Sequence, residues 1–147
     1  MFKTILVPTD GSPLSQKCVA STVTFAAETA AQIVFFYARP TAEPPYLGLG
    51  AISDPHLLQT QNAALDDVAN RVLSAAAALA KDADVRFRTC TRAGDQPWRL
   101  IIDVAEQEGC AAIFMASRGR RGIQGLLLGS ETQKVLTHSQ IPVLVYR

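Results

Sequence analysis

The chain has 147 residues, of which 48% are hydrophobic and 18% are charged, and its formal net charge at pH 7 is +1. This length and balance predict a single globular domain over residues 1–147 and argue against a disordered chain. A net charge this close to zero argues against nucleic acid or an acidic membrane surface as a partner, so any cationic role must be local. No apolar run approaches bilayer length, and we expect no transmembrane helix.

The cysteines and the start of the chain indicate a compartment. Cys18, Cys90 and Cys110 form no CxxC pair and leave one odd thiol. Cys18 and Cys110 have apolar neighbours, which favours packing over reactivity. The first segment reaches Asp10 too soon for a signal peptide. Reduced thiols and the lack of a leader together predict a cytoplasmic location.

The first third of the chain alternates strand-like and helix-like patterns. Residues 5–7 are a short apolar run that predicts a buried strand. Ser12 and Pro13 then give a cap followed by proline at the first helical position, and the helix pattern continues to about Ala30. Residues 33–38 are β-branched and aromatic and predict a second strand. Residues 39–53 have no periodicity and are typical of a lid or binding loop.

Asp54 and Pro55 repeat the cap-plus-proline signal at the start of a long helix. Its apolar positions predict one buried stripe. The stripe consists of Leu58, Leu65, Val68, Ala69, Val72, Ala76 and Leu79.

The remaining chain predicts three more strands and two more helices, each bounded by turn or cap signals. The strands lie at 85–90, 111–116 and 141–146, and the first of them has one wetter face, which indicates a position near a sheet edge. One helix runs from a cap at Asp95 to a stop at Gly109, and the other from Ser130 to about His138. The predicted buried residues of the first helix are Leu100, Ile101, Val104 and Ala105.

The order βαβαβαβαβ with uninterrupted apolar strands predicts an α/β fold, namely a Rossmann-like, doubly wound, five-stranded parallel sheet with helices on both faces. Ligands in such sheets lie beyond the carboxyl ends of the strands, at the topological switch point. Two strand ends carry suitable chemistry, residues 8–12 after the first strand and residues 117–130 after the fourth.

Residues 117–129 form a glycine- and arginine-rich loop before a helix start. They contain four of the nine glycines and three arginines, Arg118, Arg120 and Arg121. Backbone N–H groups, cations and a helix N-terminus together favour a phosphate ligand, although arginines in a loop can also be merely a solvated face. There is no GxxxxGK[ST] sequence, which excludes a Walker-type P-loop.

Three segments together resemble the universal stress protein family over the whole chain. They are Val7-Pro8-Thr9-Asp10-Gly11-Ser12, Gly119 followed after nine residues by Gly129-Ser130, and Ile141-Pro142-Val143-Leu144-Val145. The ATP-binding branch of that family has G-x-x-G, nine residues and G-[S/T], so Ala116 replaces the first glycine here. At a negative φ the methyl group of Ala116 costs little. At a positive φ, or where a nucleotide touches the Cα, the methyl group would be an obstacle to binding.

The resemblance implies an ATP site at these strand ends. Gly119, Gly129 and Ser130 would hold the phosphates, Asp10 would lie near the ribose or a phosphate-bound Mg²⁺, and the end of the second strand would line the adenine pocket. The implied site residues are Pro8, Thr9, Asp10, Tyr37, Ala38, Ala116, Ser117, Arg118, Gly119, Arg120, Arg121, Gly122, Gly129, Ser130 and Glu131.

Several of these side chains have a purely structural interpretation. Ser130 with Gln133 fits a capping box, and Asp10 could hydrogen-bond the turn before the first helix. Trp98 favours packing or an interface anchor over base stacking. The two histidines, His56 and His138, lie far apart in the sequence, so we expect no side-chain metal site.

The resemblance implies an ATP-binding regulatory protein in stress adaptation, acting on an unidentified protein partner. It also implies a homodimer through the last strand, and an unpaired apolar edge strand favours pairing independently. One alternative is a nucleotide-free, homodimeric interaction module of the same fold. A slow ATP hydrolase is less favoured, because no acid–base pair lies near the loop.

Overall fold

The computed structural model describes residues 2–43, 55–120 and 128–147. In these ranges strands and helices alternate in the order that the sequence predicts. They are β1 (Thr4–Pro8), α1 (Pro13–Thr29), β2 (Gln32–Arg39), α2 (Pro55–Asp82), β3 (Phe87–Ala93), α3 (Pro97–Gln107), β4 (Ala112–Ala116), α4 (Ser130–His138) and β5 (Val143–Tyr146).

The strands form one parallel sheet in the order β3-β2-β1-β4-β5. Ile5 of β1 pairs with Ile33 of β2 on one side and with Ala112 of β4 on the other. The chain therefore winds outward from β1 to β3 and then crosses back to β4, which puts the switch point between β1 and β4. The predicted doubly wound, five-stranded parallel sheet is confirmed.

Both faces of the sheet are covered, because alternate strand residues point to opposite sides. On one face, Ile5 and Phe35 pack in a core that includes residues of α1 and α2. On the other face, Leu6 and Phe36 pack with residues of α3 and α4. The central strands β1, β2 and β4 supply both cores, which explains their uninterrupted apolar sequences.

The ends of α1 follow the predicted signals. The side chain of Ser12 accepts a hydrogen bond from the backbone N–H of Ser15 at 3.3 Å, and Pro13 is the first helical residue. The helix ends at Ala30, whose φ of 55° is left-handed. Cys18 lies on the buried face of α1 as predicted, and burial raises the pKa of its thiol to about 11.

The predicted cap of α3 is wrong. The N-cap is Gln96, which makes no side-chain capping bond, and the carboxylate of Asp95 instead accepts a hydrogen bond from the hydroxyl of Thr41. Thr41 follows β2, so a tertiary partner competes for the carboxylate that the local pattern assigns to the helix. Gly109 does end the helix, with a φ of +62°. Ile102 is buried as well, whereas Leu100 is half-buried.

The buried stripe of α2 differs from the predicted one. The buried residues are Ala69, Leu73, Ala76 and Ala80, so Leu73 and Ala80 replace flanking positions. Leu79 is 43% exposed, and Leu58, Leu65, Val68 and Val72 are half-buried. Alanines at the contact let α2 pack closely on β2 and β3, which rotates the larger side chains to the flank. The predicted cap at Asp54 lies outside the described residues.

The outer strands are β3 and β5. The wetter face predicted for the third strand fits its edge position, although the strand runs from Phe87 to Ala93 and begins later than predicted. Trp98 packs against the core of the α3–α4 face, and its ring centroid lies 4.8 Å from that of His138. Within the ranges that the structure describes, no helix is long and apolar enough to cross a membrane.

Candidate functional site

A cleft of about 780 Å³ lies at the switch point, beyond the carboxyl ends of β1 and β4. Most of the site residues implied by the sequence line it. They are Pro8, Thr9, Asp10, Tyr37, Ala38, Ala116, Arg118, Gly119, Arg120, Gly129, Ser130 and Glu131. Arg121 and Gly122 lie outside the described residues.

Ser117 lies behind the cleft wall, not in it. The residue is buried, its backbone N–H donates to the carbonyl of Tyr146 at 2.7 Å, and its own carbonyl accepts from the N–H of Gly129 at 2.6 Å. These bonds join the end of β4 to β5 and to the start of α4. Ser117 therefore positions Gly129 through its backbone.

The carboxylate of Asp10 bridges the switch point. One oxygen accepts the backbone N–H of Ser12 at 2.9 Å, and the other accepts the backbone N–H of Arg120 at 2.7 Å. The turn interpretation of Asp10 is therefore correct as far as it goes, and a second bond reaches the loop after β4. Burial raises the pKa of Asp10, but the hydrogen bonds from Ser12 and Arg120 outweigh it, so the pKa lies below its ordinary value of 3.8.

Gly119 and Gly129 are positions where the backbone approaches other atoms closely. A Cβ added to Gly119 would collide with the Oδ2 atom of Asp10. A Cβ added to Gly129 would lie 3.2 Å from the Cα of Arg118, tighter than an ordinary contact. Each glycine therefore sits where a side chain would collide with, or press tightly on, a neighbouring segment of the cleft wall.

The capping box at Ser130 is wrong. The N-cap of α4 is Gly129, which lacks a side chain, so Ser130 is the first helical residue. The N–H of Gln133 pairs with the carbonyl of Gly129. Ser130 is exposed on the cleft wall, at the positive end of the α4 dipole.

Ala116 fits its position without backbone strain. It is the last residue of β4, pairs with Tyr146 of β5 and is buried. Among the described residues other than glycine, only Ala30 and Asp84 have a positive φ. The φ of Ala116 is therefore negative. The backbone of Ala116 therefore satisfies the requirement for a negative φ, under which the methyl group is tolerated.

The opposite wall of the cleft comes from the chain after β2, within the loop at 39–53 that the sequence predicts as a lid or binding segment, and from the chain after β3, which the sequence reasoning missed. The N–H of Gly94 donates to the carbonyl of Arg39 at 3.0 Å, and Thr41 bonds to Asp95, which ties the two segments together. The lining residues that the implied site does not include are Ser15, Phe36, Pro40, Thr41, Glu43, Gly94, Asp95, Pro97, Ile101 and Met115. The rule that parallel strands end at one sheet edge could have located those that follow β3. Residues 44–53 of the predicted lid lie outside the described ranges.

The two walls differ in charge. Arg118 and Arg120 belong to the connection between β4 and α4, whereas Glu43 and Asp95 lie on the opposite wall. Glu131 also lines the cleft, and its carboxylate accepts the backbone N–H of Trp98 at 2.8 Å. Within the part of the chain that the structure describes, no group of three or more histidine, cysteine or acidic side chains is arranged to hold a metal ion. The cleft can therefore hold an elongated ligand with an anionic end.

Comparison with known proteins gives one family. The model of the universal stress protein family matches residues 1–147. A universal stress protein of Thermus aquaticus is 30% identical over 147 residues, covering 100% of both chains. The protein YxiE of Bacillus subtilis, also a universal stress protein, is 29% identical over 149 residues, again covering 100% of both.

Solved structures share the fold. Universal stress protein UspA from Lactobacillus plantarum matches with a TM-score of 0.78 and 24% identity, over 99% of this chain and 97% of that one. A universal stress protein in complex with cAMP matches with a TM-score of 0.71 and 23% identity, over 99% and 97%. An Arabidopsis thaliana family member with AMP bound matches with a TM-score of 0.69 and 13% identity, over 98% and 90%.

Proposed function

The chain belongs to the universal stress protein family, and we propose that it is an ATP-binding regulator of stress adaptation. One observation carries this proposal. Gly119, Gly129 and the first turn of α4 line the same cleft as Asp10, whose carboxylate is hydrogen-bonded to the loop after β4. Backbone N–H groups and a helix N-terminus at one cleft favour a phosphate chain.

The described residues suit the parts of a nucleotide. Gly119, Gly129 and Ser130 hold the phosphates, assisted by the guanidinium group of Arg118, and Arg120 lines the same cleft. Solved family members with cAMP and with AMP bound support an adenine nucleotide as the ligand.

The other end of the nucleotide has its own partners. Asp10 lies near the ribose or a phosphate-bound Mg²⁺, because a carboxylate held ionised suits either partner. The adenine lies beside Tyr37 and Ala38 at the end of β2, both of which line the cleft.

We expect any ATP turnover to be slow. The carboxylates of Asp10 and Glu131 line the cleft near the proposed phosphate end, and both already accept backbone N–H groups. The lowered pKa of Asp10 also makes it a weak base. The site therefore suits binding and signalling better than hydrolysis.

Isothermal titration of the wild-type protein with ATP and Mg²⁺ tests the proposal. We expect the double variant Gly129→Asp/Ser130→Ala to bind at least about tenfold more weakly, a loss of about 1.4 kcal/mol, because it puts a negative charge at the phosphate end. Ser21→Ala, an exposed serine on α1, is the matched control and should bind like the wild type. No ATP affinity in the wild type, or unchanged affinity in the double variant, would refute the proposed site and favour the nucleotide-free module.

The proposal includes a homodimer formed through β5. β5 is an edge strand, and Leu144 at its centre is 46% exposed. An exposed apolar edge favours pairing with a second copy.

The thiols of Cys18, Cys90 and Cys110 are free, which supports the expected cytoplasmic location. The protein that reads the nucleotide state is a separate, unidentified partner.

A further inference from the structure

A second cavity, of about 550 Å³, lies between α1 and α2, and we name it the α1–α2 cavity. Val68, Val72 and Leu79 of α2 line it together with Val19 of α1. Leu79 is 43% exposed, so part of this aliphatic lining is in contact with water. These are the side chains of the predicted α2 stripe that the sheet does not bury.

The β1–α1 turn closes one end of the cavity. Gly11 has a φ of +76°, and a Cβ added to it would lie 2.9 Å from the Cγ2 atom of Val72. The turn thus touches α2 directly, and the cavity is bounded by backbone on that side.

The charge of the lining is entirely positive among the residues that the structure describes. Arg71 of α2 and Arg120 line the cavity, and no aspartate or glutamate does. Neither guanidinium forms an ion pair with a carboxylate in the described ranges, and the Nε atom of Arg71 only approaches the backbone carbonyl of Asp67 at 3.4 Å. Guanidinium groups bind carboxylates in paired hydrogen bonds, so these two provide an anchor for an anion.

We propose that the α1–α2 cavity binds a fatty-acid carboxylate, with its head group at Arg71 and Arg120 and its chain along Val68, Val72 and Leu79. A lining that is mostly aliphatic with two cationic side chains, at this volume, is typical of small-molecule sites. The lining residues contain no aromatic ring on which a flat base could stack, which favours an alkyl chain. The cavity shares Arg120 with the nucleotide cleft, but it is a separate space.

Calorimetric titration of the protein with dodecanoate, below the micelle concentration of dodecanoate, tests this proposal. We expect Arg71→Glu to weaken binding about tenfold or more by reversing the charge of the anchor. Ala75→Trp should also weaken it, because Ala75 is an exposed lining residue and the indole would fill the space. Arg86→Glu is the matched control, since Arg86 is an exposed arginine outside the cavity and should leave binding unchanged.

Dodecanol separates a carboxylate site from mere apolar adsorption. Weak binding of dodecanol beside strong binding of dodecanoate supports the site, whereas equal binding of the two overturns it. Dodecanoate affinity in Arg71→Glu equal to that of the wild type also overturns the proposal. If Ala75→Trp changes the oligomeric state without losing dodecanoate binding, the proposal is overturned as well, and the α1–α2 cavity is assigned to a protein contact. ATP binding is measured on the same variants, and its presence in the absence of dodecanoate binding would refute this site alone.

Discussion

The contact between Asp10 and the loop after β4 depends on the absence of one side chain. Gly119 leaves room for the Oδ2 atom of Asp10, which accepts the N–H of the next residue, Arg120. This hydrogen bond joins the two strand ends on either side of the switch point. The glycine spacing in the sequence therefore corresponds to a specific close approach and not only to loop flexibility.

Gly119→Ala should break this contact. The added methyl group must displace Asp10, so we expect a loss of about 1–3 kcal/mol in the free energy of unfolding and at least about tenfold weaker ATP binding. Urea unfolding and calorimetric titration measure the two effects. Gly109→Ala is the control. A Cβ added to Gly109 meets no atom within 4 Å, although the backbone of Gly109 has a positive φ. The substitution should cost about 1 kcal/mol of stability and leave ATP affinity unchanged.

The charge of Asp10 should make stability depend on pH in acid. Its pKa in the folded protein is below its ordinary value of 3.8, so it stabilises the fold above that value and the contribution disappears as the pH falls through the folded pKa. Asp10→Asn cannot accept both N–H groups, and we expect it to be less stable at pH 7 by about 1–3 kcal/mol. The difference from the wild type, measured by urea unfolding from pH 7 downward, should narrow below about pH 4. A difference that stays constant to pH 3 would contradict the assignment.

At the scale of elements, α3 and α4 are joined at their N-termini. The first residue of α3 is Pro97, which has no N–H, and the N-cap Gln96 makes no side-chain capping bond. The carboxylate of Glu131, in the first turn of α4, accepts the N–H of Trp98 instead. One carboxylate thus lies near the positive ends of two helices, which stabilises both.

Glu131→Ala should therefore destabilise the protein by about 1 kcal/mol, as the loss of a helix cap does. Glu131→Gln keeps an acceptor for Trp98 and should lose less. Glu131 also lies 3.7 Å from the ammonium of Lys134, and Lys134→Ala controls for that exposed pair, whose loss should have little effect. Denaturant unfolding of the three variants measures these differences. Equal effects of Glu131→Ala and Lys134→Ala would show that the cap does not stabilise α3.

At the scale of the whole molecule, the two edges of the sheet differ. β3 is covered partly by α2 and carries arginines, whereas β5 is short and has Leu144 exposed between Val143 and Val145. Charged side chains protect an edge from pairing with another chain, and β5 lacks them at these positions. This asymmetry supports β5 as the face that pairs in the proposed homodimer.

Leu144→Arg should weaken that pairing. A buried apolar contact would be replaced by a charge next to its symmetry copy, so we expect a shift from dimer to monomer at micromolar concentration. Sedimentation equilibrium measures the shift, and Leu57→Arg, an equally exposed leucine on α2, is the matched control. A wild-type monomer, or a Leu144→Arg dimer, would contradict the pairing.

The sequence alone determined the elements, their order and the parallel sheet. Periodicity, caps such as Ser12 and stops such as Gly109 act within a few residues, and five buried strands separated by helices allow few other folds. The placement of residues 8–10 opposite Gly119 and Gly129 also followed, because the winding rule fixes which strand ends meet.

Only the tertiary structure decided which partner each ambiguous side chain takes. Asp95 bonds to Thr41 instead of capping α3, and Leu79 faces a cavity instead of the core. Each choice depends on atoms far away in the chain: a hydroxyl after β2, and the rotation of an alanine-rich helix on the sheet. Local patterns leave such alternatives close in free energy, and packing between distant elements selects among them.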